Sequence, residues 1–219
     1  MWCVPKLDDL YISRMNEILD LYCLPYNEKE PVVCVDEKNL QLLEDMRAPI
    51  PLKPGFGIRM DYQYKRKGTT NIFVGVEPKG KKHFLKVSTR KTKRDYADYV
   101  LDLMTKVYPK AYKVHLVADN LNTHPLKCLK EMLGEKHSIF KRLVLHFTPK
   151  HASWLNQAEL EISVLESQCL NRRRFPDEET LREEVHAWAE ERNRQEIGIN
   201  WTFTRKEARV KFKLDNAPN

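Results

Sequence analysis

Apolar residues recur along this chain in two periods, and the switches between them lay out its elements. Val32-Val33-Cys34-Val35 is a compact β-prone run that ends on Asp36-Glu37. Residues 69–77 and 83–87 are two more such runs, and the turn-forming Pro78-Lys79-Gly80-Lys81 between them predicts a hairpin. Asp61-Tyr62-Gln63-Tyr64 is a candidate strand start before a polar turn at Lys65–Gly68. Val114-His115-Leu116-Val117 and Leu143-Val144-Leu145-His146-Phe147 complete the β-prone set. Helical spacing shows elsewhere. Ile12, Met15, Ile18, Leu19 and Tyr22 mark a lead-in helix, and Tyr96, Tyr99, Val100, Leu103 and Val107 predict a helix over 93–107 that Pro109 stops. A short helix is expected over 125–133, closed by Gly134. Leu155, Ala158, Ile162, Leu165 and Cys169 step by 3, 4, 3 and 4, which predicts one continuous amphipathic helix over 153–170. Pro176-Asp177 opens a further helix to about Gln195, and Thr204 can cap a last one through Phe212. Residues 38–60 show no clear period; a short turn of helix is expected there, and then Pro49, Pro51, Pro54, Gly55 and Gly57 argue for a loop.

A strand, a hairpin and then alternating helices and strands predict an α/β fold: a mixed sheet flanked by helices. The expected organisation is one domain over 31–219 behind an N-terminal helical lead-in over 1–30. With 42% hydrophobic and 32% charged residues and only 7 Gly, the chain reads as globular. It has no apolar stretch long enough for a membrane span and no signal-peptide pattern at its start, so a cytoplasmic protein is expected. Five scattered cysteines, none in a C-x-x-C pair, argue against a disulfide framework or a structural zinc site. The net charge of +7 is gathered in Lys65-Arg66-Lys67, Lys79-Gly80-Lys81-Lys82, Arg90-Lys91-Thr92-Lys93-Arg94 and Arg172-Arg173-Arg174. Each cluster alone reads as a solvated surface. Four of them favour a polyanionic partner, nucleic acid above all.

The chemistry lies in the acids. Asp36 and Asp119 each follow an apolar run, and parallel neighbouring strands would bring them together at one end of the sheet. Carboxylates held close repel unless they are protonated or bridged by a cation, and hard oxygen donors favour Mg²⁺ or Mn²⁺. The helix over 153–170 offers a third acid. At about 100° per residue, Glu159 and Glu161 lie roughly 80° to either side of its apolar stripe and Glu166 roughly 60° away. Periodicity does not choose among them.

Three stretches carry a resemblance: Val33-Cys34-Val35-Asp36-Glu37; Val117-Ala118-Asp119-Asn120-Leu121-Asn122-Thr123-His124; and Thr148-Pro149-Lys150-His151-Ala152-Ser153-Trp154-Leu155-Asn156-Gln157-Ala158-Glu159. Together they resemble the DDE transposases, and among these the bacterial insertion sequence 630 family, relatives of mariner. In that family "LN-x-x-E" opens the helix bearing the third acid. Leu155-Asn156-Gln157-Ala158-Glu159 matches it, which selects Glu159. Trp2-Cys3-Val4-Pro5, Arg192-Asn193 and Asn200-Trp201-Thr202-Phe203-Thr204 extend the likeness over nearly the whole chain. The resemblance implies an RNase H-like five-stranded sheet. It also implies metal-dependent cleavage and joining of DNA ends, with Asp36, Asp119 and Glu159 holding Mg²⁺ or Mn²⁺. The implied partners are transposon-end and target DNA and a second copy of the chain, in a bacterial cytoplasm or bound to the nucleoid. The helix-turn-helix domains that ordinarily precede the catalytic domain have no counterpart here, so a catalytic domain by itself is expected. Two rival readings share the acids: another RNase H-like nuclease, and a truncated DNA-binding regulator without catalysis.

Neighbouring residues divide less sharply. Glu37 would point to the opposite face of its strand from Asp36 and is expected to be structural. Asn120 and His124 can orient a phosphate or serve as turn and cap residues. Trp154 can stack on an extruded base or belong to the core. Arg172, Arg173 and Arg174 can contact backbone phosphates or simply end a helix in solvent. His146 and His151 form no recognised zinc pattern.

Overall fold

The computed structural model describes residues 7–51, 53–57, 59–119 and 126–214. Five strands form one mixed sheet: β1 (Val32–Asp45), β2 (Tyr64–Glu77), β3 (Lys82–Ser88), β4 (Val114–Ala118) and β5 (Leu143–Phe147), in the spatial order β3-β2-β1-β4-β5. The β1–β2 and β2–β3 pairs are antiparallel, whereas β1–β4 and β4–β5 are parallel. Among the described residues six α-helices accompany them: α1 (Asp9–Cys23), α2 (Lys93–Asp102), α3 (Leu126–Leu133), α4 (Gln157–Leu165), α5 (Glu178–Arg194) and α6 (Arg205–Lys211). This is the mixed α/β arrangement that the alternation of periods predicts.

Strand alternation sends neighbouring residues to opposite faces. Val33, Val35, Phe73, Leu116 and Ala118 are buried on one face beneath Tyr96, Val100 and Leu103 of the α2 segment and Leu129 of α3. On the other face, Cys34, Val76 and Val117 pack with Met15, Ile18, Leu19 and Tyr22 of α1, Leu155, and Ala158 of α4. Ile72 and Val74 continue that face with Ile162 and Leu165 of α4 and Leu181 and Val185 of α5. The lead-in helix is thus built into the core, with Met15, Ile18 and Leu19 fully buried.

Two expectations are corrected. β1 does not end at Asp36 but runs on to Asp45, and β2 starts at Tyr64, so the expected Lys65–Gly68 turn is strand. Beyond the core the two strands form a ribbon whose β2 residues 64–69 are exposed. The exposed β2 half carries no hydrophobic alternation; besides its backbone hydrogen bonds the ribbon is held by buried Leu42, by Lys67 with Glu44 at 3.3 Å, and by Arg174, which pairs with Asp45 and lies over the Tyr64 ring. A bulge between Leu42 and Leu43 shifts its register, and Leu43 N–H turns outward to Phe175 O at 2.8 Å. The expected 153–170 helix is also not continuous. A 3₁₀ turn at Ser153–Leu155 gives way at extended Asn156 (φ −83°, ψ 108°), α4 follows, and a π-helical turn at Glu166–Leu170 ends it. The apolar stripe persists through all three segments, which is why spacing alone cannot see the breaks.

Candidate active site

The parallel β1–β4 register pairs Cys34 with Val117. Two residues further along each strand, Asp36 and Asp119 stand level and share the face of Cys34 and Val117. β4 ends at Ala118, whereas β1 continues beside β2 with Asp36 opposite Val74. Asp36 therefore sits within a strand, at the step where its parallel neighbour stops, and Asp119 lies just past that neighbour's last residue. The expectation that these two acids share one end of the parallel pair holds, although only one strand ends there.

The third acid arrives on α4. Asn156 is the N-cap of that helix: its Oδ1 accepts from Ala158 N–H at 3.2 Å, and its carbonyl accepts from Glu159 N–H at 3.1 Å. The same side chain donates from Nδ2 to Val35 O at 2.9 Å and faces Asp36 Oδ2 at 3.4 Å. Behind it, Tyr22 of α1 donates its hydroxyl to Leu155 O at 2.8 Å. The turn before α4 is thereby fastened to β1 at Asp36, and Glu159 falls in the first turn of the helix, on the side of both aspartates.

The other two glutamates on this segment have different partners. Glu161 is 1% exposed and paired with His83 Nε2 at 3.2 Å and with Arg192, whose Nη2 donates to it at 3.0 Å. Burial raises the Glu161 carboxyl, but hydrogen bonds and charge from His83 and Arg192 outweigh it and hold it below the usual carboxylate range. Glu166 pairs with Lys38 of β1. Glu37, on the opposite face, has its carboxylate 3.4 Å from Lys91 Nζ.

Among the remaining candidates, Trp154 packs edge-on against Phe203, with ring centroids 5.6 Å apart, and tilted against Phe212. It belongs to the cluster under α1 and α6. Arg173 pairs with Glu184 at 2.7 Å, and Arg174 pairs with Asp45 and lies over the Tyr64 ring. Arg172 is exposed. Asn120 and His124 lie outside the described residues. His146, unassigned from sequence, accompanies His115 at 2.9 Å and Glu17 of α1 at 2.6 Å, a polar tie between helix and sheet. A cavity of about 200 Å³ between Tyr22, Pro31, Pro78 and Trp201 takes in none of the three acids.

Burial, and then the charges of Glu159, Asp119 and Glu37, push the Asp36 carboxyl up from 3.8 to about 7, against the pull of a 2.7 Å hydrogen bond from Glu37 N–H. Its folded form therefore keeps a proton that the unfolded chain gives up near 3.8. The metal-free protein is expected to lose stability, on the order of 4 kcal/mol, as pH rises between those two values. Thermal melts from pH 4 to 8 check this, and Asp36→Asn is expected to flatten the dependence. A steeper loss in the Asn variant would contradict the assignment. Among the described residues, no three His, Cys, Asp or Glu side chains stand close enough together, as placed, to hold an ion. The donor chemistry nevertheless suits a hard divalent cation: all three candidates are carboxylates, and burial, then the charges of Glu159 and Asp119, raises the Asp36 carboxyl.

Sequence reasoning assigned no separate role to Asn156, and it left Glu161 as a candidate until the motif set it aside. The pairing of Asn156 with β1 has no local signature. The Glu161 partners come from β3 and α5, far away in sequence.

None of the curated proteins compared with the chain matches it. Its fold is similar to that of the Mos1 mariner paired-end complex with Mn, at TM-score 0.57 and 16% identity over 90% of this chain and 61% of that one. It is also similar to the Mos1 transposase catalytic domain with Raltegravir and Mn, at TM-score 0.55 and 11% identity over 90% of this chain and 99% of that one. A third similar structure, the Mos1 mariner catalytic domain, gives TM-score 0.55 and 12% identity over 87% and 88%. The chain thus spans about three-fifths of the longer Mos1 chain and nearly all of the catalytic domain. These likenesses establish the RNase H-like fold. The family of DDE superfamily endonucleases matches residues 31–182, well over half of the 219, and this chain belongs to it.

Proposed function

We propose that this chain is the catalytic domain of a transposase of the insertion sequence 630 group, nicking DNA at transposon ends and joining the freed ends to target DNA. The observation that supports this reading is the level placement of Asp36 and Asp119 on the parallel β1–β4 pair, with Glu159 in the first turn of the helix that Asn156 ties to β1. The Asp36 carboxyl is raised by burial and then by the charges of Glu159 and Asp119. Asp36, Asp119 and Glu159 would hold Mg²⁺ or Mn²⁺. Such ions, when bound, activate a water or 3′ hydroxyl for attack on a phosphodiester and stabilise the leaving oxygen.

The chain's own residues supply placement and field. β1 fixes Asp36, the end of β4 fixes Asp119, and the capped first turn of α4 presents Glu159. Lys65, Arg66 and Lys67 on the exposed ribbon stand on the side of Asp36 away from the start of β1, with Arg172 exposed on the segment that packs on that ribbon. A DNA backbone drawn to this surface would be held roughly 23–30 Å along β2 from the position paired with Asp36, on the same ribbon. His124 and Trp154 remain proposed DNA contacts of this reading, Trp154 the weaker because Phe203 and Phe212 flank it. The partners are DNA and a second copy of the chain, and the place of action is the cytoplasm of a bacterium. Among the described residues, no helix is long and apolar enough to cross a membrane.

The test is incubation of the chain with duplex DNA bearing transposon ends and Mg²⁺ or Mn²⁺, beside Asp119→Asn. Nicking by the wild type and its loss in the variant are expected. Equal nicking by both would overturn the site, and a folded wild type that binds ends without cutting them would favour a regulatory role.

A further inference from the structure

We infer that Asn156 is a positioning residue for the metal-binding acids: its amide sets the orientation of Asp36 and the distance at which α4 presents Glu159. This rests on the reading of Asp36, Asp119 and Glu159 as the metal-holding set. Four contacts converge on this side chain and its backbone. Oδ1 caps α4 through Ala158 N–H at 3.2 Å, and the carbonyl receives Glu159 N–H at 3.1 Å. Nδ2 donates to Val35 O at 2.9 Å and faces Asp36 Oδ2 at 3.4 Å. The orientation of the amide is determined by its neighbours, since Ala158 N–H can only donate and Val35 O can only accept. Asn156 is 1% exposed, so water cannot easily replace these bonds.

The consequence is geometric. Asp36 Oδ1 accepts from Glu37 N–H at 2.7 Å, and Asn156 Nδ2 stands 3.4 Å from Oδ2, so each carboxylate oxygen faces a donor and the group is held in one orientation. The same residue is the hinge between Ser153–Leu155 and α4. One side chain therefore couples the strand that carries the first acid to the helix that carries the third. Acids that must meet a common ion need this spacing set before the ion arrives, and outer partners of ligating carboxylates typically govern affinity by about 10–100-fold.

Capping and positioning can be separated. Asn156→Ser keeps a cap-competent oxygen but loses the amide donor, whereas Asn156→Ala loses both. Mn²⁺ affinity measured calorimetrically on the full chain without DNA is expected to fall by about 10-fold or more in both variants, while only the Ala variant also loses its cap and melts lowest. In nicking assays the Mn²⁺ concentration for half-maximal rate is expected to rise by the same factor while the KM for DNA stays at its wild-type value. A Ser variant that binds Mn²⁺ as the wild type does would overturn the inference and leave the three-acid reading standing. A wild type that binds no Mn²⁺ would overturn both. Asn156→Thr, also cap-competent, repeats the measurement if the Ser variant does not fold.

Discussion

Glu159→Gln is expected to abolish metal-supported nicking by about 10³-fold or more, the scale on which a placed charge-stabilising group contributes, and to leave the melting temperature of the metal-free protein unchanged or slightly higher. Glu159 is in the first turn of α4, and its charge raises the Asp36 carboxyl, so removing it relieves repulsion in the metal-free state. Among the described residues no ion pair ties it to the core, in contrast to Glu161 two positions on. Single-turnover nicking of an end-bearing duplex, with melts of the same preparations, measures both quantities. Retained cutting at near wild-type rate would remove Glu159 from the site.

Glu161→Ala is expected to show the reverse. Removing this carboxylate leaves the Arg192 guanidinium, 8% exposed, and His83, 2% exposed, facing an empty space in the core. Breaking a buried pair from one side costs about 3–5 kcal/mol, which for a chain of this size lowers the melting temperature by roughly 10 °C. Arg192 lies over the Trp188 ring at 5.0 Å, and Asn193 next to it is bonded to both His83 N–H and His83 O, so α5 and β3 should loosen together. A Glu161→Leu, Arg192→Met double variant should recover part of the loss, because neither partner is then left charged and alone. Chemical denaturation of the single and double variants decides it. Wild-type stability in Glu161→Ala would mean the pair contributes nothing to holding α4, α5 and β3 together.

These paired outcomes also show how far the sequence could be read. Periodicity found the strands buried along their length, because burial is what writes alternation into a chain; it lost β2 before Thr69, where that strand is exposed, and β1 after Asp36, where only Leu40 and Leu42 keep to the core among charged and polar residues. It found the stripe of the acid-bearing helix but not the break at Asn156, since the cap interrupts the backbone without interrupting the stripe. Asp36 and Asp119 were legible as acids behind buried runs. Glu159 and Glu161 were not separable by spacing: they flank the stripe symmetrically, and what divides them is His83 on β3 and Arg192 on α5, which no local pattern announces. The "LN-x-x-E" motif made the choice instead, and the structure attaches a physical meaning to it, because its Asn is the residue that ties the helix to the first strand.

The ribbon of β1 and β2 beyond the core has one more consequence. Side chains alternate along a strand, so a slip of β1 by a single residue would turn Asp36 beneath α2 and bring Glu37 up toward Asp119: still a carboxylate, but one methylene longer and without its Asn156 partner. The Leu42/Leu43 bulge and the pairs that follow it, Glu44 with Lys65 and Asp45 with Tyr64, fit in one alignment. The exposed end of the hairpin thus acts as a vernier for the buried end, keeping Asp36 and not Glu37 in the chemistry.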